Sequence, residues 1–170
     1  MNTAQDSYSV FLVDDDKMFL SSLKNSLSNQ FKSGVEVSTF TSGEDCLKQI
    51  GDNPDIVVLD YYLNDGQHPN AMDGLEVLKR IKEASEDSAV IMLSGQDKLQ
   101  VALDSIKNGA YEYIAKSEST FVRIQNVVKN IILNLKETRG NKTYQKWNII
   151  MAVALMVILL FDIVYYYAIH

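Results

Sequence analysis

Residues 10–14 read VFLVD and residues 56–60 read IVVLD, two runs of four apolar residues that each end in an aspartate. Continuous apolar runs of this length are typical of strands that are buried on both faces of a parallel sheet. Similar runs recur farther along the chain. The sequence therefore predicts five strands, at residues 9–13, 35–40, 56–60, 89–94 and 111–115.

Helical periodicity separates and follows these strands. Apolar side chains repeat every three or four residues along the first, third and last intervening segments, at Phe19, Leu23, Leu27 and Phe31, at Leu75, Leu78 and Ile81, and at Ile124, Val127 or Val128, Ile131 and Leu135. Five strand and helix units predict an α/β fold, with a parallel sheet covered by helices on both faces. Ligands of such open sheets bind outside the carboxyl ends of the strands.

The predicted strand ends carry polar side chains of complementary chemistry. They are Asp14, Asp15 and Asp16 after the first strand, Asp60 at the end of the third, Ser94 and Gly95 at the fourth, and Lys116 after the fifth. Carboxylates at one edge repel each other, and Mg²⁺ relieves that repulsion with oxygen ligands while leaving positions for phosphate oxygens. Lys116 and Ser94 would contact the remaining phosphoryl oxygens. Asp60 is then the candidate nucleophile that forms an acyl phosphate.

A structural interpretation exists for each of these residues alone. Three aspartates before a helix can cap that helix and complement its dipole. Ser94 with Gly95 can form an ordinary turn. The coincidence of such residues at four strand ends nevertheless favours a chemical site.

Several of these motifs together resemble the receiver domain of bacterial two-component response regulators: Asp14 and Asp15 closing VFLV, Asp60 closing IVVL, Ser94 followed by Gly95, and Lys116 closing YIA. The resemblance covers about residues 8–138. It implies a flavodoxin-like (βα)5 fold, a doubly wound parallel sheet with strand order 2-1-3-4-5. It also implies a phosphoacceptor signalling domain rather than an enzyme, with a histidine kinase or phosphotransfer protein as partner.

The resemblance implies a role for each residue of the site. The Mg²⁺ ligands would be Asp15 and Asp60 directly, Asp14 through water, and Tyr62 through its backbone carbonyl, with Asp60 also the phosphoacceptor. The phosphoryl group would contact Ser94, Gly95 and Lys116, of which Lys116 acts with Asp60 in catalysis. Ser94 and Tyr113 would move on phosphorylation and remodel the face formed by the fourth helix, fifth strand and fifth helix. Two copies of the chain could form a homodimer through this face.

The chain also departs from the family pattern. Residues 63–72 lengthen the loop between Asp60 and the Asp73-Gly74 pair, and Ser117 stands where the family usually has a cis proline, so that a trans peptide bond is expected. Outside the pattern, Cys46 lies at a helical core spacing and is expected to be buried. His68 and His170 are too isolated to indicate a metal site.

The C-terminal residues 149–169 are apolar or aromatic at 20 of 21 positions, interrupted by Asp162. A helix of this length, rising about 1.5 Å per residue, matches the roughly 30 Å hydrocarbon core of a bilayer. Trp147 at one end and the tyrosines at 165–167 at the other are typical of the two membrane interfaces. The sequence therefore predicts one transmembrane helix at 147–169. Asp162 is expected to be hydrated from the nearby tyrosines, with self-association of the helix as the alternative.

The charge distribution fits this organisation. The net charge is −6, and residues 1–135 carry 12 basic and 20 acidic side chains, whereas residues 136–170 carry four basic and two acidic ones. The four basic residues precede Trp147, so the positive-inside tendency would keep the globular part in the cytosol. An acidic body disfavours nucleic-acid binding. The single cysteine requires no oxidising compartment, and residues 1–10 show no signal-peptide pattern.

The predicted organisation is an N-terminal tail (1–7), a receiver domain (8–138), a basic linker (139–146) and a transmembrane helix (147–169). The predicted function is a membrane-anchored, single-domain response regulator of the bacterial cytoplasmic membrane that signals through protein contacts. Two alternatives stay open. One is a membrane-tethered receiver fold that no longer turns over phosphate. The other, disfavoured because no further acidic residue ends a strand after Lys116, is a haloacid-dehalogenase-like phosphatase that uses Asp14 as nucleophile and Asp16 as acid.

Overall fold

A single parallel sheet organises the described part of the chain, with strand order β2-β1-β3-β4-β5. The computed structural model describes residues 7–63, 72–95 and 99–169, without the side chains of 141–146 and 158–169. The strands are β1 (Tyr8–Val13), β2 (Val35–Phe40), β3 (Ile56–Asp60), β4 (Ala89–Ser94) and β5 (Glu112–Ala115). The predicted strand order is confirmed. The first strand begins one residue earlier and the fifth one residue later than predicted, a difference that is usual at element ends.

The central strands are buried along almost their whole length, as their continuous apolar runs predict. All five residues of β3 are buried, as are five of the six residues in β1 and in β4. The edge strand β2 has only its first and last residues buried. The strands that lead to the predicted aspartates therefore lie in the most deeply buried part of the sheet.

Five α-helices connect and follow the strands in the described residues, with short 3-10 helices at Lys32–Gly34 and Ile50–Asp52. The α-helices are α1 (Lys17–Phe31), α2 (Gly43–Gln49), α3 (Gly74–Ala84), α4 (Leu99–Lys107) and α5 (Thr120–Ile169). Side-chain caps fix where the first three begin: Asp16, Ser42 and Asp73 each accept backbone N–H bonds from the first turn. These caps also fix the path of the chain after it leaves the carboxyl ends of the strands.

The predicted buried face of α1 is only half right. Leu23 and Leu27 are fully buried, but the third buried residue is Leu20, whereas Phe19 and Phe31 are only partly buried. The reason is geometric, because steps of four residues drift around a helix of 3.6 residues per turn. The ends of the predicted row therefore turn away from the core.

The other predicted core positions show the same drift. In α3, Leu78 and Ile81 are buried as predicted, while Val77 takes the place expected of Leu75. In α5, Ile124, Val128 and Ile131 are buried, so that Val128 rather than Val127 is the core residue. Leu135 is only partly buried. Cys46 is fully buried in the core cluster beside the sheet, as expected.

The chain divides into two units, Met1–Ile131 and Ile132–His170. In the second unit, the large apolar side chains from Trp147 to Val157 are exposed, by 53% to 64%. Within the described residues, no helix has both the length and the apolar character that a membrane crossing needs. The predicted span at 147–169 includes residues 158–169, whose side chains lie outside the description. The predicted domain boundaries stay predictions.

Candidate functional site

The carboxyl ends of four neighbouring strands bring the predicted site residues to one edge of the sheet. Asp60 ends β3 and pairs in register with Leu93, so that it lies beside the end of β4. Ser94 ends β4 and pairs with Ala115, the residue before Lys116. The β1 strand lies on the other side of β3 and leads into Asp14 and Asp15. The predicted clustering of these residues is confirmed.

Three carboxylates form an acidic cluster at this edge. Asp14, Asp15 and Asp60 each place an oxygen within 4.8 Å of the other two. Asp14 and Asp60 are buried, with 1% and 4% of their surface exposed, whereas Asp15 is exposed. Carboxylate oxygens from a partly open site are the ligands that Mg²⁺ prefers. The donor set of the described residues therefore fits a hard divalent cation.

The three consecutive aspartates have different local roles. Asp14 accepts the backbone N–H of Asp16 on Oδ1, at 2.9 Å, and its own N–H donates to the carbonyl of Phe40. Asp16 accepts the N–H groups of Met18 and Phe19, and so caps α1. The capping interpretation is thus correct for Asp16, and the metal interpretation fits Asp14 and Asp15.

The ammonium of Lys116 lies between two carboxylates of the cluster. Its Nζ atom is 2.7 Å from Oδ2 of Asp14 and 3.1 Å from Oδ1 of Asp60. The backbone N–H of Lys116 donates to the carbonyl of Ser94, which anchors the residue to β4. Burial would lower the pKa of Lys116, but the two carboxylates together hold that pKa above its usual value. The lysine is therefore a fixed cation in this edge.

Asp60 is poorly satisfied in its buried position. Its Oδ1 atom forms the ion pair with Lys116 but accepts no hydrogen bond of good geometry from any described residue. Burial raises the pKa of Asp60, the charges of Asp14 and Asp15 raise it further, and Lys116 only partly opposes them. A cation at this oxygen would relieve both the repulsion and the missing bond.

The remaining predicted site residues lie around this cluster. Ser94 is fully buried, while Gly95 is exposed, and a Cβ added at Gly95 would meet no atom of a described residue within 4 Å. Tyr113 is partly buried and packs against the core cluster. Tyr62 is 40% exposed and contacts Tyr61 edge to face. The role of its backbone carbonyl as a Mg²⁺ ligand stays a prediction.

The extended loop is anchored at both ends. Leu63 is buried and Met72 packs against the same core cluster, with the Met72 N–H donating to Oε1 of Glu44 in α2. Residues 64–71, which include His68, lie outside the described residues, as does His170. The peptide bond between Lys116 and Ser117 is trans, as expected.

Sequence reasoning missed three residues that shape the site. Gly74 lies so close to β3 that an added Cβ would be 2.3 Å from the carbonyl oxygen of Asp60. Phe19 and Phe121 contact each other beside Lys116. The spacing of residues in the sequence does not show where two backbone segments come close, so the role of Gly74 could not be predicted. The aromatic pair could not be predicted either, because it joins two helices that are far apart in the sequence.

Residues 10–129 match the family of response regulator receiver domains. The match covers more than half of the chain. The chain belongs to the response regulator receiver domain family. The predicted receiver of a two-component system is confirmed, and its assignment as a signalling domain rather than an enzyme is confirmed with it. The phosphatase alternative is wrong, in keeping with the Asp16 side chain being engaged as a helix cap.

The receiver domain has several curated relatives. The transcriptional regulatory protein CssR of Bacillus subtilis is 29% identical over 139 residues, which are 80% of this chain and 58% of CssR. The C4-dicarboxylate transport transcriptional regulatory protein DctD of Rhizobium meliloti is 31% identical over 109 residues, 64% of this chain and 22% of DctD. Response regulator MprA of Mycolicibacterium vanbaalenii is 31% identical over 108 residues, 63% of this chain and 43% of MprA. The chain therefore spans less than two thirds of the length of each of these relatives.

Solved receiver domains have the same fold. A response regulator receiver domain protein from Clostridium thermocellum gives a TM-score of 0.64 at 28% identity, covering 77% of this chain and 98% of that one. NtrX from Brucella abortus gives a TM-score of 0.66 at 28% identity, covering 79% of this chain and 29% of NtrX. The BeF3-activated DrrB receiver domain gives a TM-score of 0.58 at 27% identity, covering 74% of this chain and 97% of that one.

Proposed function

We propose that this chain is a membrane-anchored, single-domain response regulator whose Asp60 accepts a phosphoryl group from a histidine kinase or a phosphotransfer protein. One observation carries the proposal. Asp60 ends β3 between two further carboxylates and Lys116, and its buried Oδ1 atom accepts no hydrogen bond from a described residue. A cation beside this carboxylate would offset the burial and the repulsion from Asp14 and Asp15 that raise the pKa of Asp60. Membership of the receiver family supports the same role.

Mg²⁺ is the cofactor that we propose for the acidic cluster. Asp14, Asp15 and Asp60 would hold it with their carboxylates, and Tyr62 with its backbone carbonyl. When bound, Mg²⁺ would neutralise charge on the phosphoryl oxygens. Both oxygens of Asp14 already have protein partners, the Asp16 N–H and Lys116, which supports binding through water for this residue.

The transfer itself uses groups of the chain. A carboxylate oxygen of Asp60 forms a bond to the phosphorus of a phosphohistidine, while the P–N bond breaks and its electron pair stays on the imidazole. Lys116 would neutralise one phosphoryl oxygen, and the Ser94 hydroxyl would donate to another. No described residue lies within 4 Å of a Cβ added at Gly95, which would leave room for the phosphoryl group beside Ser94.

The signal would leave through a surface of α4, β5 and the first turns of α5. Phosphate contacts at Ser94, with a conformational change at Tyr113, would shift the equilibrium between two conformations of this surface. Its exposed apolar side chains are Leu99, Leu103, Ile106, Tyr111 and Val122. We propose protein contact there as the output, with a homodimer through this surface or through the transmembrane helix as one form of it. The acidic net charge supports a protein rather than a nucleic acid as partner.

Membrane anchoring is proposed from the C-terminal sequence. Residues 149–169 carry 20 apolar or aromatic side chains out of 21, and Trp147 and the tyrosines at 165–167 flank them. Trp147 and the large apolar residues up to Val157 expose more than half of their surface, which is costly in water. With Lys136, Arg139, Lys142 and Lys146 on the inner side, the receiver would face the cytosol at the bacterial cytoplasmic membrane.

The test of the phosphoacceptor uses the full chain, purified in a mild detergent. The protein is incubated with Mg²⁺ and acetyl phosphate, and phosphoprotein is resolved by gel retardation and confirmed by its loss in hydroxylamine. Asp60→Asn is compared with Asp52→Asn, a matched change at an exposed aspartate. We expect labelling of the wild type and of Asp52→Asn, and none of Asp60→Asn.

Two results would change the proposal. Equal labelling of Asp60→Asn would place the acceptor elsewhere. Absence of labelling in the wild type, with both acetyl phosphate and phosphoramidate, would instead favour a tethered receiver fold that no longer turns over phosphate.

A further inference from the structure

The ammonium of Lys116 has an aromatic neighbour besides the two carboxylates. Its Nζ atom lies 4.7 Å from the centroid of the Phe19 ring. A lysine cation within about 6 Å of a ring face is attracted by the ring quadrupole, and more so where water is excluded. Only 25% of the Lys116 side chain is exposed. The ring is therefore part of what holds this cation in place.

The Phe19 ring is itself held by a second aromatic residue. Phe121 packs edge to face against it, with ring centroids 5.3 Å apart and planes inclined at 67°. Phe19 lies in the first turn of α1, where its N–H donates to the capping Asp16. Phe121 is the second residue of α5. The pair thus joins the starts of two helices at the edge of the acidic cluster.

The connection from β5 to α5 fixes Phe121 in this position. Thr120 is 2% exposed, its Oγ1 accepts the N–H of Ser117, and its own N–H donates to the carbonyl of Ser117. Farther along, Gln125 donates to the backbone carbonyl and the hydroxyl of Ser26, which ties α5 to α1 a second time. Both partners of the aromatic pair are therefore anchored independently of Lys116.

We propose that Phe19 is a positioning residue for Lys116, with Phe121 as its support. The inference rests on the proposed phosphoacceptor function, since it concerns the delivery of the ammonium to the phosphoryl group. Lysine has a flexible four-carbon stem, and ordering it costs side-chain entropy. A cation bound by the carboxylates would weaken their hold on Lys116, because it competes for the same negative charge. The ring attracts the ammonium without taking part in that competition, so it keeps Nζ at the edge.

The test uses BeF3⁻, a tetrahedral phosphoryl mimic, on the full chain in detergent with saturating Mg²⁺. Its Kd is measured by ¹⁹F NMR, together with the initial rate of labelling by acetyl phosphate and the Tm. Phe19→Leu removes the ring but keeps an apolar side chain, Phe19→Tyr keeps the ring, and Phe31→Leu is a matched change at the other partly buried phenylalanine of α1. We expect Phe19→Leu to weaken BeF3⁻ binding and slow labelling by about 2- to 10-fold. Phe19→Tyr and Phe31→Leu should stay within about twofold of wild type.

A double substitution separates positioning from general packing. In a Lys116→Met background, adding Phe19→Leu should cause no further loss of BeF3⁻ affinity, because the ring would then have no cation to hold. An unchanged Kd in Phe19→Leu, or an equal loss with and without Lys116, would overturn the inference while leaving Asp60 as acceptor. Failure of the wild type to bind BeF3⁻ at all would overturn the inference together with the proposed function.

Discussion

The Nζ atom of Lys116 lies 2.7 Å from Oδ2 of Asp14, although the two residues are 102 positions apart in the sequence. The same atom is 3.1 Å from Oδ1 of Asp60, without a hydrogen bond of good geometry. Lys116 is therefore hydrogen-bonded to Asp14, whereas the buried Oδ1 atom of Asp60 has an ion pair with Lys116 but no hydrogen bond from the described residues. The predictions for the acidic cluster follow from this imbalance.

Asp60→Asn should stabilise the fold when no divalent cation is present. Burial and two neighbouring carboxylates raise the pKa of Asp60, so the folded state disfavours its charged form. A carboxyl group with a raised pKa contributes stability that is complete below its unfolded pKa of about 3.9 and is lost as the pH rises through its folded pKa. The free energy of unfolding of Asp60→Asn should therefore exceed that of wild type at pH 7 when no cation is bound.

Urea unfolding of both proteins in EDTA, from pH 4 to pH 7, measures this difference. The gap should widen with rising pH. A wild type that is more stable than Asp60→Asn at pH 7 in EDTA would show that the ion pair with Lys116 outweighs desolvation.

Asp15→Asn should abolish stabilisation by Mg²⁺, whereas Asp16→Asn should retain it. Asp15 contributes an oxygen to the cluster from an exposed position, while Asp16 caps α1, a role that asparagine also fills. A ligand at 100 times its Kd stabilises the folded state by about 2.7 kcal/mol. Thermal unfolding with increasing MgCl2 gives the comparison, with CaCl2 as a second cation. Equal responses of the two variants would mean that Asp15 is not a ligand of the cation.

Gly74→Ala should destabilise the fold and disturb Asp60. The added Cβ would lie 2.3 Å from the carbonyl oxygen of Asp60 and 2.6 Å from the Cα of Tyr61, and both contacts are with backbone atoms that cannot turn aside. A loss of about 1 to 3 kcal/mol is expected from such overpacking. Gly51→Ala is the control, because its Cβ would meet no atom within 4 Å in the described part of the chain. Denaturant unfolding of both variants tests the difference, and comparable stabilities would indicate that α3 shifts without cost.

The fold and the acidic cluster could be predicted because both depend on local patterns. Apolar runs gave the strands, parallel order placed their ends together, and so Asp60 and Lys116 were expected at one edge before any contact was known. The Phe19 contact with Lys116 could not be predicted in this way. It depends on the side-chain geometry of two elements separated by most of the chain, and spacing alone assigned Phe19 to the core of α1.

Cys46 should be unreactive in the folded protein. Its thiol is fully buried, and burial raises its pKa to about 12, so almost no thiolate is present at pH 8. We expect no reaction of the native chain with Ellman's reagent at pH 8 and reaction of one thiol per chain in 6 M guanidinium chloride. Rapid reaction under native conditions would show that the core around α2 opens readily.

The full chain should stay with the membrane fraction after extraction with alkaline carbonate, if residues 149–169 cross the bilayer as proposed. Lysine near the middle of a span costs about 3 kcal/mol in insertion, so Val153→Lys combined with Val157→Lys should release the protein into the supernatant. Leu133→Lys is the matched control, because it places the same charge on an exposed apolar residue of α5 before the basic segment. Western blots of pellet and supernatant measure the partition. Wild type in the supernatant would remove the membrane anchor from the proposed function, and the phosphoacceptor at Asp60 would stand without it.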